Sequence, residues 1–263
     1  MPDLITSPQN PRVKQVVRLR DRRHRDEERL LLVEGASELG LALAGGARPQ
    51  TVYYCPALIS DTGDLLTKAM EAGAEAIEVS APVFEKMAYR DNPDGILAIL
   101  PIMRRGLVDL PTSECPLYLV AEAVEKPGNL GALLRSADAA GVTGVIVCDP
   151  ATDLSNPNVV RSSRGTLFTV PIAEASTGEA ITWLRRQNVT IVAATPQASL
   201  TYTQANLRGP VAIAVGTEDQ GLTVDWLSQA DVTVRIPMQG RVNSLNVATA
   251  ATLLLYEAVR QRS

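Results

Sequence analysis

A polar loop near the middle of the chain places an amide and a guanidinium at the start of an apolar helix. Residues 125–135 read EKPGNLGALLR. Asn129 is well suited to cap that helix, whose first N–H groups are free to bind an anion. Arg135 follows within two turns among Leu and Ala side chains, where its guanidinium needs a partner such as a phosphate. The alternatives are a plain cap for Asn129 and an interface salt bridge for Arg135.

Two further polar loops follow predicted strands. Residues 215–222 read VGTEDQGL, and their glycines permit close backbone approach to a ligand, although the Lys-Ser/Thr of a Walker loop is absent. Residues 236–247 read IPMQGRVNSLNV. Ser244 is placed to cap the long helix that follows, which is its structural alternative to a role in chemistry. Asn246 falls in the first turn, where capping alone does not explain it, so we expect its side chain to point at something.

The composition argues against several kinds of site. The single histidine, His24, lies in a charged run, and the three cysteines have no zinc or redox spacing, so no metal site is expected. Aromatic residues make up 4% of the chain, which argues against stacked-aromatic recognition of single strands as the main binding mode. No signal peptide or membrane-spanning apolar stretch is visible, and we therefore expect a cytoplasmic protein.

The chain is acidic, with a formal net charge of −4, so binding to nucleic acid would need a local basic face. Basic residues cluster near the N-terminus, at Arg12, Lys14, Arg18, Arg20, Arg22, Arg23, Arg25 and Arg29. Four acidic residues are interspersed, and a solvated helix face with ion pairs between positions i and i+4 is the alternative to a phosphate-binding face.

Strand and helix patterns alternate along the chain, which is typical of α/β architecture. In the first part, strands are predicted at 30–35, 51–55, 76–79 and 95–100, and helices at 9–19, 36–44, 65–72 and 82–87. In the second part, strands are predicted at 117–120, 144–148, 189–194, 211–215 and 232–236, and helices at 129–139, 178–187 and 244–260. A breaker-rich stretch lies between them, so we predict a domain at 1–105, a linker at 106–114 and a second domain at 115–263.

In their order and spacing, the three loops resemble the motifs of the SpoU/TrmH family of RNA ribose 2′-O-methyltransferases, in the SPOUT class. The resemblance is carried by Pro127-Gly128-Asn129-Leu130-Gly131 through Arg135, by Gly216-Thr217-Glu218 with Gly221-Leu222, and by Ile236-Pro237-Met238 with Ser244-Leu245-Asn246-Val247. Residues 158–165 look like the family's intermediate stretch, whereas Asp219 stands where the family usually has glycine. The N-terminal part resembles the family's substrate-binding domain at Glu34-Gly35 and at residues 94–98.

The resemblance implies an α/β fold whose C-terminal parallel-sheet domain is threaded into a deep trefoil knot, with a smaller N-terminal α/β domain that binds RNA. It also implies a homodimer formed by the catalytic domain, which agrees with a last helix that is apolar nearly all round. The implied cofactor is S-adenosylmethionine (AdoMet), held in the knot by backbone groups of three loops. The cofactor-binding residues so implied are Ala194, Thr195, Pro196, Val215, Gly216, Ile236, Pro237, Met238, Leu245 and Val247.

The same resemblance assigns the chemistry to Arg135, assisted by a substrate phosphate. A guanidinium stays protonated and is a poor base, so we prefer Arg135 as an orienting group that stabilises the developing alkoxide. Glu218, Ser244 and Asn246 would set the geometry of the ribose and of this guanidinium. Asn129 would orient the guanidinium or the phosphate. RNA contacts are expected from Arg12, Lys14, Arg18, Arg22 and Arg161.

The predicted reaction is therefore AdoMet-dependent 2′-O-methylation of a ribose. The separate N-terminal domain favours 23S ribosomal RNA as the substrate, by analogy only. Ribose methylation of transfer RNA and a catalytically degenerate RNA-binding protein are the alternatives, and the intact motif residues count against the second. A Rossmann-type methyltransferase is disfavoured because residues 127–131 do not supply its G-x-G. A role in antibiotic resistance would use the same chemistry.

Overall fold

Short apolar runs form the strands of the computed structural model, which describes residues 4–59, 63–103 and 105–263. The strands are β1 (Leu30–Glu34), β2 (Thr51–Tyr54), β3 (Glu75–Glu78), β4 (Ile96–Pro101), β5 (Leu117–Glu122), β6 (Gly144–Cys148), β7 (Ile172–Ala175), β8 (Thr190–Ala194), β9 (Leu200–Thr201), β10 (Val211–Val215) and β11 (Val232–Arg235). The helices are α1 (Pro11–Arg18), α2 (Arg22–Glu28), α3 (Ala36–Ala44), α4 (Leu65–Glu71), α5 (Ala81–Met87), α6 (Pro127–Ala139), α7 (Pro157–Ser163), α8 (Thr177–Arg186), α9 (Val224–Gln229) and α10 (Val247–Arg262).

The N-terminal unit joins the chain up to Met103 with a later segment, Asp153–Thr169. Its sheet has the order β1-β4-β2-β3, in which β4 runs antiparallel to both neighbours and β2 pairs with β3 in parallel. Val160 and Phe168 of the later segment are part of its apolar core. Arg25 is 1% exposed and donates from Nη2 to the Asp153 carboxylate at 3.0 Å, which ties the same segment to the region of α2.

The second unit, comprising the rest of the described chain, is built on a seven-stranded sheet in the order β7-β6-β5-β10-β8-β11-β9, with every neighbouring pair parallel. Strands β5, β6 and β10 are buried along their whole length, as expected for a sheet covered on both faces. The chain crosses from β7 at one edge to β8 on the far side of β10. In parallel α/β sheets, ligands bind at the carboxyl ends of strands where the strand order reverses in this way.

The predicted α/β class and the parallel sheet are confirmed. The predicted starts of three helices are wrong, because α1 begins at Pro11, α6 at Pro127 and α10 at Val247. The patterns also missed α2, α7, α9, β7 and the two-residue strand β9. Residues 1–3, 60–62 and 104 of the predicted N-terminal domain lie outside the described residues. Within the described chain, no helix combines the length and hydropathy needed to cross a membrane, and no group of three or more potential ligand side chains is placed to hold a metal ion.

Candidate active site

A carboxylate that accepts hydrogen bonds from three other side chains forms the centre of the site. Glu218 follows β10, and its Oε1 accepts from the Asn129 amide at 2.9 Å and from the Asn246 amide at 2.6 Å. Its Oε2 accepts from the Lys126 ammonium at 2.7 Å. The loops after β5 and β10 and the start of α10 therefore meet at Glu218, because β5 and β10 are neighbours in the sheet.

Asn246 uses both ends of its amide. Its Oδ1 accepts from the backbone N–H groups of Ala248 and Thr249, so Asn246 is the N-cap of α10. Its Nδ2 donates to Glu218 and also to Asn129 Oδ1 at 2.9 Å. The expectation that Ser244 caps this helix is wrong, since the helix starts three residues later and Ser244 lies in the preceding loop. Asn246 points at a partner, as expected, but it also supplies the cap.

Asn129 does not cap α6. The helix starts at Pro127 with Lys126 as its N-cap residue, and no side chain caps it, so Asn129 lies within the first turn with its side chain free to bond Glu218. Sequence reasoning missed Lys126 as a site residue. A partly buried carboxylate such as Glu218 needs a positively charged partner. Lys126, next to Pro127 at the start of α6, is the residue in the sequence that could have suggested one.

The electrostatics of the cluster favour an ionised Glu218. The hydrogen bond from Lys126 is the main cause that lowers the pKa of Glu218 below its ordinary value, with further contributions from Asn129 and the backbone N–H of Val247. Partial burial opposes this shift. The carboxylate also lies at the N-terminus of α10, where the helix dipole stabilises negative charge. Glu218 is therefore an acceptor that fixes two amides rather than a proton donor.

The loop that carries Glu218 is a tight hairpin. Thr217 and Gly221 exchange both backbone hydrogen bonds, at 3.0 and 3.1 Å, and Gly216 lies directly against the returning chain. A Cβ on Gly216 would lie 2.1 Å from the carbonyl oxygen of Gly221, so no larger residue fits without moving the backbone. Asp219 does not have a positive φ, so an aspartate fits where the family usually has glycine.

A cavity of about 370 Å³ opens beside this hairpin, at the carboxyl ends of β8, β10 and β11. Its lining includes most of the predicted cofactor-binding residues, namely Ala194, Thr195, Pro196, Val215, Gly216, Ile236, Met238, Leu245 and Val247. Pro237 is not in the lining, although both of its neighbours are. Glu218 and Ser244 also line the cavity, as do residues that the sequence did not single out, among them Gln197, Asn243 and Leu227.

A buried polar network braces one wall of the cavity. Glu122, at the end of β5 and 2% exposed, accepts from the backbone N–H of Thr223 at 2.8 Å and from its hydroxyl at 2.7 Å. It also accepts from the Thr177 hydroxyl, which in turn accepts from the indole N–H of Trp226. Thr223 directly follows the hairpin and precedes α9, whose Leu227 lines the cavity. The carboxylate of Glu122 therefore anchors the end of the Glu218 loop.

Comparison with known proteins places this geometry in a family. The SpoU rRNA Methylase family model matches residues 116–256, and the MRM3-like substrate binding domain model matches residues 10–98. The chain is similar to an uncharacterised tRNA/rRNA methyltransferase from Synechocystis sp., at 34% identity over 98% of this chain and 94% of that protein. The chain belongs to the SpoU rRNA methylase family.

Proteins named as RNA methyltransferases are similar over most of the chain. The 23S rRNA (uridine(2479)-2′-O)-methyltransferase of Streptomyces viridochromogenes is 33% identical over 88% of this chain and 83% of its own length. A crystal structure of an RNA 2′-O ribose methyltransferase is 45% identical, with a TM-score of 0.86 and 99% coverage of both chains. The AdoMet-bound rRNA methyltransferase from Sinorhizobium meliloti gives a TM-score of 0.90 at 34% identity, covering 98% of this chain and 97% of its own. The family resemblance of the sequence motifs is confirmed.

The structure does not bring Arg135 into the Glu218 cluster of this SpoU-family chain. Arg135 is six residues after Asn129 on α6, which separates the two by about 9 Å along the axis and about 120° around it. Arg135 is exposed, and among the described residues its side chain makes no hydrogen bond or ion pair. The neighbouring Ser136 hydroxyl lies 2.6 Å from the Thr252 hydroxyl of α10, so Arg135 lies beside the packing of α6 on α10.

The predicted RNA-binding residues are all exposed, and all lie in the N-terminal unit. Lys14 and Arg18 are one turn apart on α1, whereas Arg161 lies on α7. Two form ion pairs, Arg12 with Glu75 at 2.9 Å and Arg22 with Asp26 at 3.5 Å, so the alternative of a solvated, ion-paired surface holds for part of the run. Arg25 of that run is buried and structural.

Proposed function

We propose that this SpoU-family chain transfers the methyl group of AdoMet to a ribose 2′-hydroxyl of 23S ribosomal RNA. The observation that carries the proposal is the Glu218 cluster, in which three loops of the family motifs meet beside a cavity at the carboxyl ends of parallel strands. Two similar proteins, named as 23S rRNA 2′-O-methyltransferases and found in Streptomyces viridochromogenes and Bacillus subtilis, support the substrate class.

The residues around the cavity fit AdoMet. A volume of about 370 Å³ lies within the usual range for small-molecule sites. Gly216 leaves its backbone uncovered at the wall, where a side chain would collide with Gly221. The loops after β8, β10 and β11 would hold the cofactor largely through backbone groups. When bound, AdoMet supplies an activated methyl group on a positively charged sulfur.

The protein residues then position the attacking oxygen. Asn129 and Asn246 are held rigidly by Glu218, and their amides lie where a ribose or its phosphate could be oriented. Such preorganisation is a large part of catalysis in a displacement reaction. Arg135 would stabilise the developing alkoxide electrostatically and bind the adjacent phosphate. Ser244, at the cavity lining, would contact the ribose.

A homodimer would account for the position of Arg135. Helix α10 exposes Leu253 (37%) and Tyr256 (47%) on one face, an apolar surface suited to a second copy. Arg135 lies close to this face through the contact between Ser136 and Thr252. We therefore propose that dimerisation through α6 and α10 brings Arg135 to the Glu218 cluster of the partner, which it does not reach within one chain.

The remaining features implied by the family resemblance are proposed with it. The sheet of the second unit would be threaded as a deep trefoil knot, and the protein would act in the cytoplasm, where ribosomal RNA is modified. The N-terminal unit would bind RNA through Lys14, Arg18 and Arg161, with Arg12 and Arg22 contributing after exchange of their ion pairs. The MRM3-like substrate binding domain match over residues 10–98 supports this division of labour.

The decisive experiment maps ribose methylation in total RNA from cells with and without the gene, and repeats it with Arg135→Ala. One 2′-O-methyl group in 23S rRNA should disappear without the gene and should not be restored by the variant, whose AdoMet affinity by calorimetry should stay close to wild type. A lost methyl group in transfer RNA would favour the tRNA alternative. A chain that binds no AdoMet would support the degenerate RNA-binding alternative.

A further inference from the structure

Buried acidic side chains hold an exposed loop of the N-terminal unit in place. The carboxylate of Glu34, 8% exposed, accepts from the backbone N–H of Tyr89 at 2.7 Å and of Arg90 at 3.2 Å. Glu38, 5% exposed, pairs with the Arg90 guanidinium. Burying two carboxylates is costly unless their partners are fixed. Buried hydrogen-bond partners therefore hold the backbone of residues 89–90 in one conformation.

Gly35 lies against the ion pair of Glu38 with Arg90. It has a φ of 115°, and a Cβ there would lie 2.2 Å from the Glu38 carboxylate and 3.0 Å from the Arg90 guanidinium. Only glycine leaves room for that pair to close over the backbone. The pair Glu34-Gly35 thus has a specific task, which is to hold the backbone of Tyr89 and Arg90.

The side chain held by this loop is an aromatic ring fixed at both ends. The hydroxyl of Tyr89 accepts from the Asn158 amide of α7 at 2.8 Å, while its backbone is held by Glu34. Tyr89 as a whole residue is nevertheless 38% exposed. Among the aromatic side chains that the structure describes, only Tyr89 and Tyr256 are exposed, and Tyr89 is the one in the N-terminal unit.

An exposed guanidinium lines the same recess as the ring. Arg161 is one turn after Asn158 on α7, is exposed, and lines the same small recess as Tyr89. Within the described part of the chain its side chain makes no hydrogen bond or ion pair. A fixed, exposed aromatic residue next to an exposed guanidinium suits a base stacked on the ring with its phosphate on the cation.

We propose that Tyr89, Asn158 and Arg161 form a contact surface for one unpaired nucleotide of the RNA substrate. The inference rests on the proposed function and goes beyond it by naming a stacking residue and the single-stranded character of the contact. A single stacking residue is consistent with a chain so poor in aromatics. It also gives α7 a role in substrate binding, although α7 lies within the stretch matched by the methylase family model.

The test uses the full-length protein and 23S rRNA purified from cells that lack the gene. Tyr89→Leu should weaken binding roughly tenfold with an unchanged dependence on salt, and Tyr89→Phe should bind within about twofold of wild type. Arg161→Ala should reduce the slope of log affinity against log salt by about one. Arg186→Ala, which removes an exposed arginine of α8, is the charge control and should change neither quantity. AdoMet affinity should be unchanged in every variant.

Tyr89→Leu with wild-type affinity would overturn the proposal, as would equal losses in the Leu and Phe variants, which would assign the effect to the hydroxyl. Should Tyr89→Leu fail to fold, zero-length ultraviolet cross-linking of the wild-type complex decides the question, because the peptide containing Tyr89 should carry a nucleotide adduct. Adducts found only elsewhere would refute the stacking contact. Wild-type protein that binds AdoMet but no rRNA would instead refute the proposed substrate.

Discussion

Asn246 couples the start of α10 to the carboxylate of Glu218 through the two ends of one amide. Its Oδ1 accepts from the backbone of Ala248 at 3.0 Å, and its Nδ2 donates to Glu218 at 2.6 Å. The cap fixes which end of the amide is the oxygen, so the other end must present its N–H groups to Glu218 and Asn129. Helix capping and site geometry therefore depend on the same side chain.

Asn246→Asp separates these two tasks. Aspartate caps a helix as well as asparagine does, but it would direct a second carboxylate at Glu218. A hydrogen bond to a charged group is worth about 1.5–3 kcal/mol, so kcat/KM should fall roughly 10- to 100-fold. Because the cap is kept, the unfolding temperature should fall only through the repulsion between the two carboxylates. Asn246→Ala is the comparison, since it should also cost about 1 kcal/mol of stability through the lost cap. Equal stabilities with unchanged kcat/KM in Asn246→Asp would contradict the coupling.

We expect the ion pair between Lys126 and Glu218 to set the acid limit of activity. The pKa of Glu218 is lowered in the folded chain, so the contribution of its ionised form is complete above the unfolded pKa and is lost as the pH falls through the folded one. Lys126→Met should raise the pKa of Glu218 and move the acid limb of the kcat/KM profile to higher pH. The Lys126 side chain is 71% exposed, so the effect on unfolding free energy should be small. An unshifted acid limb would show that another group controls it.

Gly216→Ala tests the close approach of the hairpin strands. The added methyl would overlap the carbonyl of Gly221, which should cost about 1–3 kcal/mol and displace the cavity wall. Calorimetry should show weaker AdoMet binding. Gly178→Ala, at a helical position where a Cβ meets open space, is the control and should be neutral or slightly stabilising. AdoMet affinity equal to wild type in the Gly216 variant would place the cofactor elsewhere.

Replacing the buried Glu122 should weaken AdoMet binding more than RNA binding. Glu122→Ala leaves the Thr223 N–H without its acceptor, and each such buried group costs about 1–3 kcal/mol. Glu122→Gln keeps one acceptor oxygen and should recover most of the stability. Binding to 23S rRNA should be similar in both variants, whereas AdoMet affinity should fall in the order wild type, Gln, Ala. Loss of RNA binding in parallel with AdoMet binding would indicate general unfolding instead of a displaced wall.

Mixing two inactive variants tests the proposed position of Arg135. Arg135→Ala and Glu218→Ala should each abolish methyl transfer. If the guanidinium acts across a dimer interface, a mixed dimer contains one site with both groups intact, and co-refolded variants should regain about a quarter of wild-type turnover. If each site is contained within one chain, the mixture should regain no turnover.

The sequence predicted the strands other than β7 and β9, because buried strands are apolar runs whose limits are marked by breakers. The family motifs likewise pointed to Asn129, Glu218 and Asn246 as one site. The ion pair of Lys126 with Glu218 escaped prediction, since it joins residues 92 positions apart and requires knowing that β5 lies next to β10. The helix starts were misjudged for a local reason. Several residues near each start can act as caps, and only packing decides which one does.

Residues 153–169 belong to the N-terminal unit, although they lie within the stretch matched by the methylase family model. Val160 and Phe168 are encoded within the methylase stretch, yet they complete the apolar interior of the N-terminal unit. In a chimera that took only its first hundred residues from a relative, Val160 and Phe168 would pack against core residues of that relative. The N-terminal unit therefore cannot be exchanged between relatives as one contiguous block, and a change in what it binds would have to come from substitutions on its surface.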